Sequence, residues 1–245
     1  MNTKINPRAY ARVGGVLYLI MIALGLFEEL FIRQRILIGG NAAATFANLQ
    51  TMEMLWRIGI VMELLMVIIT IALSVILYVL TRPVHKELAL LALLFSSIAT
   101  AVEGAYAIQL VEALFPIGSN AYLTAFTPGQ LQAMTALAMK AHVFGFGIAL
   151  LMFGPFFFVT GYLMFTSGYF PKPLGVLYQL AGAAYMFNGF VLLLAPRLAG
   201  RVFPVMALSF VGELSLALWL LFKGVRIERW RSLAGVPAVP EVACS

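Results

Sequence analysis

Apolar residues run through this chain in long blocks rather than in alternation. Six blocks approach or exceed the roughly 20 helical residues that cross a bilayer: 13–32, 58–81, 88–112, 138–165, 174–195 and 203–222. They predict an all-α integral membrane protein, with six transmembrane helices in one bundle over residues 1–231 and a mobile tail over 232–245. The polar punctuation agrees. Thr127-Pro128 reads as a helix start with proline in the first turn. Thr81-Arg82-Pro83 and Pro196 read as stops. Ala42 to Asn48 reads as a short interfacial helix in the first outer loop. The loop from Phe115 to Gly129 carries no charge and fits either packing on the membrane face or a lid. Gly145, Gly147 and Gly154 permit close helix approach, and Pro155 predicts a kink. No internal repeat is visible. The first block resembles a signal peptide, but its long apolar core and Glu28-Glu29 predict retention as a span.

Composition sharpens this picture. The 245 residues are 62% hydrophobic and 11% charged, against about 25% charged in a soluble domain. A soluble globule and a disordered chain are both excluded. The net charge of +6 does not signal nucleic acid, because the basic residues flank the spans instead of forming one patch. Lys4, Arg8, Arg12, Arg82, Lys86, Lys172, Lys223, Arg226, Arg229 and Arg231 fall on one side. Arg33, Arg35, Arg197 and Arg201 fall in loops on the other. The positive-inside rule then places both termini in the cytoplasm. The single cysteine, Cys244, excludes an internal disulfide or a cysteine metal cluster.

The acidic residues carry the functional signal. All ten are glutamate, and seven lie inside or at the edge of apolar blocks. Counting from the cytoplasmic ends places Glu28, Glu63, Glu103, Asn188 and Glu213 at depths of about 15 to 28 Å in a core about 30 Å thick. Glu53, Arg57, Glu112, Lys140 and His142 cap the same outer region. A charge facing hydrocarbon costs roughly 3 kcal/mol or more. These groups are therefore expected to face inward, around a polar pocket open to the outer side and closed below by an apolar plug. Arg57 and Lys140 are the expected counter-ions. Glu53 and Arg57, four apart, read as a structural ion pair.

Within this pocket, Glu63, Glu213 and Glu103 are the candidate catalytic residues. Burial favours the neutral carboxylic acid, which can protonate an apolar substrate. Glu28, Arg57, His142, Asn188, Tyr106 and Tyr185 are candidate ligand-binding residues. Glu28-Glu29-Leu-Phe-Ile-Arg33 matches the EExxxR pattern of intramembrane CAAX-type proteases, but their FxxxH and HxxxN/D motifs are missing, and the match is taken as coincidence. No HExxH or ExxH spacing supports a metal. No glycine-rich phosphate loop or haem-type histidine pair calls for a cofactor. Nothing sets the oligomeric state.

Several stretches carry a family resemblance. They are Ala11-Arg12-Val-Gly14-Gly-Val-Leu-Tyr18, Glu53-Met-Leu-Trp-Arg57-Ile-Gly59-Ile-Val-Met-Glu63, Gly161-Tyr162-Leu-Met-Phe-Thr-Ser167-Gly168-Tyr169-Phe-Pro171 and Gly212-Glu213-Leu-Ser-Leu-Ala-Leu-Trp219. Over residues 8–226 the chain resembles the domain of unknown function 4386 family. It departs from that pattern at Glu63 and Asn41, where aspartate is usual. The resemblance implies a multi-pass protein of the bacterial inner membrane and gives no activity. Two functional classes follow from the residues. One is an intramembrane acid–base enzyme, of cyclase or isomerase type, acting on a lipid or isoprenoid. The other is a proton-coupled carrier or ligand-binding protein for a small apolar or amphipathic molecule. An accessory membrane subunit is the third reading. The expected partners are membrane lipids and that small ligand.

Overall fold

A computed structural model describes residues 6–235. Cys244 and most of the expected tail lie outside the described residues. Helix α1 runs Pro7–Ile36, α3 Glu53–Thr81 and α5 Pro128–Ser167. Helix α2 (Ala42–Thr51) precedes α3, and α4 (Lys86–Tyr106) follows it. Helix α6 is Lys172–Leu194, α7 Ala207–Phe222 and α8 Ile227–Leu233. Short helical turns extend α4 to Ile117 and lead from Pro196 into α7, giving six helices long and apolar enough to cross a membrane. The chain is a multi-pass membrane protein. The short helix expected in the first loop is α2.

Local chemistry sets the ends. Asn6 accepts from the Arg8 and Ala9 N–H groups ahead of Pro7. Thr127 and Gln130 form a reciprocal capping box around Pro128, so four otherwise orphaned N–H groups gain partners there and at α1. Pro155 lies within α5 without ending it. Gly168, with φ of 71°, turns the chain between α5 and α6, a backbone region that favours glycine. The uncharged loop forms 3₁₀ turns that bury Pro116 and Leu123, and its residues are absent from the cavity wall described below.

The six spans close a ring. Each packs on its sequence neighbours, and α7 packs back on α1. Glycine makes the tightest seams. Gly147, Gly154 and Gly161 of α5 meet Gly189, Gly182 and Gly175 of α6, so that a Cβ on Gly161 would stand 2.7 Å from the Gly175 carbonyl oxygen. These six, with Gly168 at the turn, fall every seventh residue from 147 to 189. The sequence therefore does contain a repeat, and its register is the antiparallel α5–α6 contact. Where α7 closes the ring on α1, Gly15 faces the Leu221 backbone.

On the terminus side the ring is filled. Leu77, Leu80, Met164, Leu216, Leu220 and Trp230 belong to one buried cluster. The Leu80 carbonyl, orphaned at the end of α3, accepts from the Tyr169 hydroxyl at 2.6 Å and the Trp230 indole at 3.1 Å. Burial pushes the Tyr169 hydroxyl above the ordinary tyrosine range, so it remains a donor. Trp230 ties α8 to the bundle. On the other side, Ile32, Leu49, Trp56, Leu110 and Ala138 form a second cluster joining the ends of α1 to α5 remote from the termini. The indole of Trp56 donates to the Leu110 carbonyl at 2.9 Å.

Candidate functional site

Between these clusters the ring encloses a cavity of about 570 Å³, within the range of small-molecule sites. Its middle is apolar and aromatic, with Met66, Leu150, Phe153, Phe156 and Phe157 on the wall. Polar groups gather in two places.

The first is a buried ion network on α1, α3 and α5. Arg33 donates from Nε to Glu28 Oε1 at 2.8 Å, and its terminal nitrogen reaches Glu63 Oε2 at 2.7 Å. Glu63 Oε1 lies 3.0 Å from His142 Nε2. The side chains of Glu63 and His142 are 4% and 5% exposed, so the network is shielded from water and screens weakly. Tyr106 meets the imidazole edge-on, with ring centroids 4.7 Å apart.

The local backbone makes this network. Residues 28–33 form a π-helical turn, and the Gln34 N–H donates to the Glu29 carbonyl five residues back. A π turn places residues five apart close together, whereas an α-helix pairs those three and four apart. Glu28 and Arg33 are five apart. Gly59 of α3 faces this turn, where a Cβ would meet Ile32 at 3.3 Å and the Glu28 Cγ at 3.8 Å. The small residue lets Glu63, one turn further on, reach Arg33.

The second polar group is on α1, α6 and α7. The Tyr18 and Tyr178 hydroxyls are 3.0 Å apart. The Tyr185 hydroxyl donates to Glu213. All four line the cavity. Tyr18 is ten residues before Glu28, so the two groups sit about 15 Å apart along α1.

Glu103 also lines the cavity, and its Oε2 is buried with no hydrogen-bond partner among the described residues. Unpaired buried acceptors are uncommon and costly, by about 1–3 kcal/mol or more.

The expected site residues divide. Glu28, Glu63, Glu103, Tyr106, His142, Tyr185 and Glu213 come together on the wall. Arg57 does not. It bonds Glu53 at 2.7 Å, with side chains 54% and 42% exposed. Asn188 is buried but donates to the Ala184 carbonyl of its own helix at 3.0 Å, and it too is absent from the wall. Lys140 and Glu112 are exposed. The counter-ion expected from Arg57 or Lys140 is supplied instead by Arg33, which the sequence places in a loop. Its five-residue spacing from Glu28 was the available signal. Tyr18 and Tyr178 were missed because tyrosine in a span reads first as packing.

Because the Glu53–Arg57 pair is exposed, Glu53→Ala changes stability by less than about 1 kcal/mol. Chemical denaturation of the two proteins in the same detergent checks this, and a larger loss would mean that the pair anchors the start of α3. No group of three His, Cys, Asp or Glu side chains among the described residues is arranged to hold a metal.

Comparison with known proteins places the chain. A protein of Archaeoglobus fulgidus, described as "Uncharacterized protein", is 30% identical over 164 residues, which cover 67% of this chain and 82% of that one. No solved structure matches. The family model described as "Domain of unknown function (DUF4386)" matches residues 13–224, and the chain belongs to that family.

Proposed function

We propose that the cavity holds a small apolar or amphipathic molecule of the lipid or isoprenoid class, and that His142, positioned by Glu63, performs acid–base chemistry on it. The observation that carries this reading is the Arg33–Glu63–His142 network opening onto an apolar, aromatic cavity. Glu63 is engaged through both oxygens, so it positions the imidazole and does not itself meet the substrate. His142 then takes or returns a proton at its other ring nitrogen, and Glu63 stabilises the charge gained. A proton added at one carbon and removed from another shifts a double bond or closes a ring without a co-reactant. Tyr185 and Glu213 form the second proton-handling pair.

A carrier would need a path through the terminus side, where the packed cluster containing Leu77, Leu80, Met164 and Leu216 stands. The distribution of basic residues favours a plasma membrane with both termini cytoplasmic, so the cavity takes its ligand from the outer half of the bilayer. In this setting His142→Ala lowers turnover by about 100-fold or more, and Glu63→Gln lowers it less. Comparison of lipid extracts from strains carrying wild type or either variant checks this, followed by assay of the lipid that accumulates. Identical lipid profiles in all three strains count against the enzyme.

A further inference from the structure

We infer that the ligand carries a cationic head, an ammonium or amidinium group, and that Glu103 receives it. This rests on the cavity being a ligand site, as proposed above, and names the class of molecule that fits it.

Four of the five carboxyl groups on the cavity wall are already engaged or lie at its exposed part. Glu28 accepts from Arg33, and Glu63 accepts from Arg33 and faces His142. Glu213 accepts from Tyr185. Glu29 lies at an exposed part of the wall. Glu103 alone presents a buried oxygen with no partner among the described residues. Among the described residues no second arginine or lysine lines the wall. Arg57 is held outside by Glu53, and Lys140 and Arg35 are exposed.

Head-group chemistry follows. A phosphate, diphosphate or carboxylate would enter a space lined by five glutamates, where the one guanidinium already bridges two of them. Such an anion would find no free cationic side chain among the described residues of the wall. An anionic lipid or isoprenoid diphosphate is therefore a poor fit. A cation meets carboxyl groups instead. It offers a donor in a charge-assisted hydrogen bond to the Glu103 carboxylate, which lines the cavity and bonds no other side chain among the described residues. Tyr106, Phe146 and Phe153 lie on the same wall, and aromatic rings attract a cation once water is excluded. The apolar middle then takes the hydrocarbon body.

The test titrates the full-length protein in one detergent with dodecylamine, dodecanol and dodecanoate, and reads one-to-one adducts by native mass spectrometry. Wild type should prefer the amine over the alcohol by about tenfold or more, with the carboxylate weakest. Glu103→Gln should lose that preference. Glu103→Asp, which keeps the charge, should retain much of it and guard against simple misfolding. His142→Ala should keep the preference although its turnover is lost. Equal binding of amine and alcohol by wild type, or an unchanged preference in Glu103→Gln, overturns the cationic head and leaves the enzyme reading intact. Failure of all three probes to bind overturns the ligand site itself.

Discussion

Arg33→Gln destabilises the purified protein by about 3 kcal/mol or more, the largest loss expected from any side chain on the cavity wall. Removing one partner of a buried ion pair leaves the other charge uncompensated, at a typical cost of 3–5 kcal/mol. Arg33 serves two carboxylates at 2.8 and 2.7 Å, and both are nearly inaccessible. Its own side chain is 21% exposed, which admits some screening and sets the expectation at the lower end of that range. The guanidinium fork also matters. Arg33→Lys keeps the charge but cannot bond two carboxylates in the same geometry, so an intermediate loss is expected. The triple variant Arg33→Gln, Glu28→Gln, Glu63→Gln removes the stranded charges and should recover much of the stability. Equilibrium unfolding in detergent checks the series. If Arg33→Gln unfolds within 1 kcal/mol of wild type, the network is not a buried charge cluster.

The second large effect lies in the α5–α6 hairpin. Gly161→Ala and Gly175→Ala each place a methyl group against backbone. The new Cβ would stand 2.7 Å from the Gly175 oxygen in the first case and 2.6 Å from the Gly161 oxygen in the second. Neither oxygen can rotate away, so the helices must separate along a seam that also holds Gly154 and Gly182. Overpacking typically costs 1–3 kcal/mol, and a backbone obstacle belongs at the top of that range. Alanine's better helix propensity returns at most about 1 kcal/mol. Gly104→Ala is the control, because its Cβ would meet only Val67, at 3.9 Å. Thermal unfolding followed by size-exclusion chromatography should show the two hairpin variants losing melting temperature and monodispersity while Gly104→Ala keeps both. Equal behaviour of all three would mean that the seam relaxes freely.

The sequence made the helices legible because hydrocarbon leaves a spanning backbone little choice but to satisfy its own hydrogen bonds. Length and hydropathy then suffice to find the spans. Depth was legible for the same reason. A rise of about 1.5 Å per residue converts position into level, and Glu63, Glu103, His142 and Glu213, singled out that way, line one cavity, with Glu213 in the second polar group. Facing was harder. Arg57 and Arg33 both lie near the ends of spans remote from the termini, and an α-helical register gives no reason to prefer Arg33. The π turn decides it, and α3 fits closely against that turn at Gly59. Asn188 illustrates the reverse case, a polar residue at the right depth that bonds its own helix. The glycine repeat was present in the letters from 147 to 189. It becomes meaningful only when the chain is folded back at Gly168 and the two halves are read in opposite directions.

The closed ring gives these details a common purpose. One side is held by packed leucine, methionine and tryptophan, and the other by a second apolar cluster and the ion network. The space between is left open, and its polar groups are gathered at two levels. Gly25 lies on its wall, where a Cβ would meet only the Met66 sulfur, at 3.5 Å. A larger side chain can therefore grow into the cavity without striking backbone. Native mass spectrometry of wild type and Gly25→Phe, each extracted from its own membrane in lipid nanodiscs, tests the central claim most directly. The expected result is one small molecule retained at one-to-one stoichiometry by wild type and absent from a folded Gly25→Phe. Retention of the same bulk phospholipids by both proteins, with no distinct adduct on wild type, would contradict it.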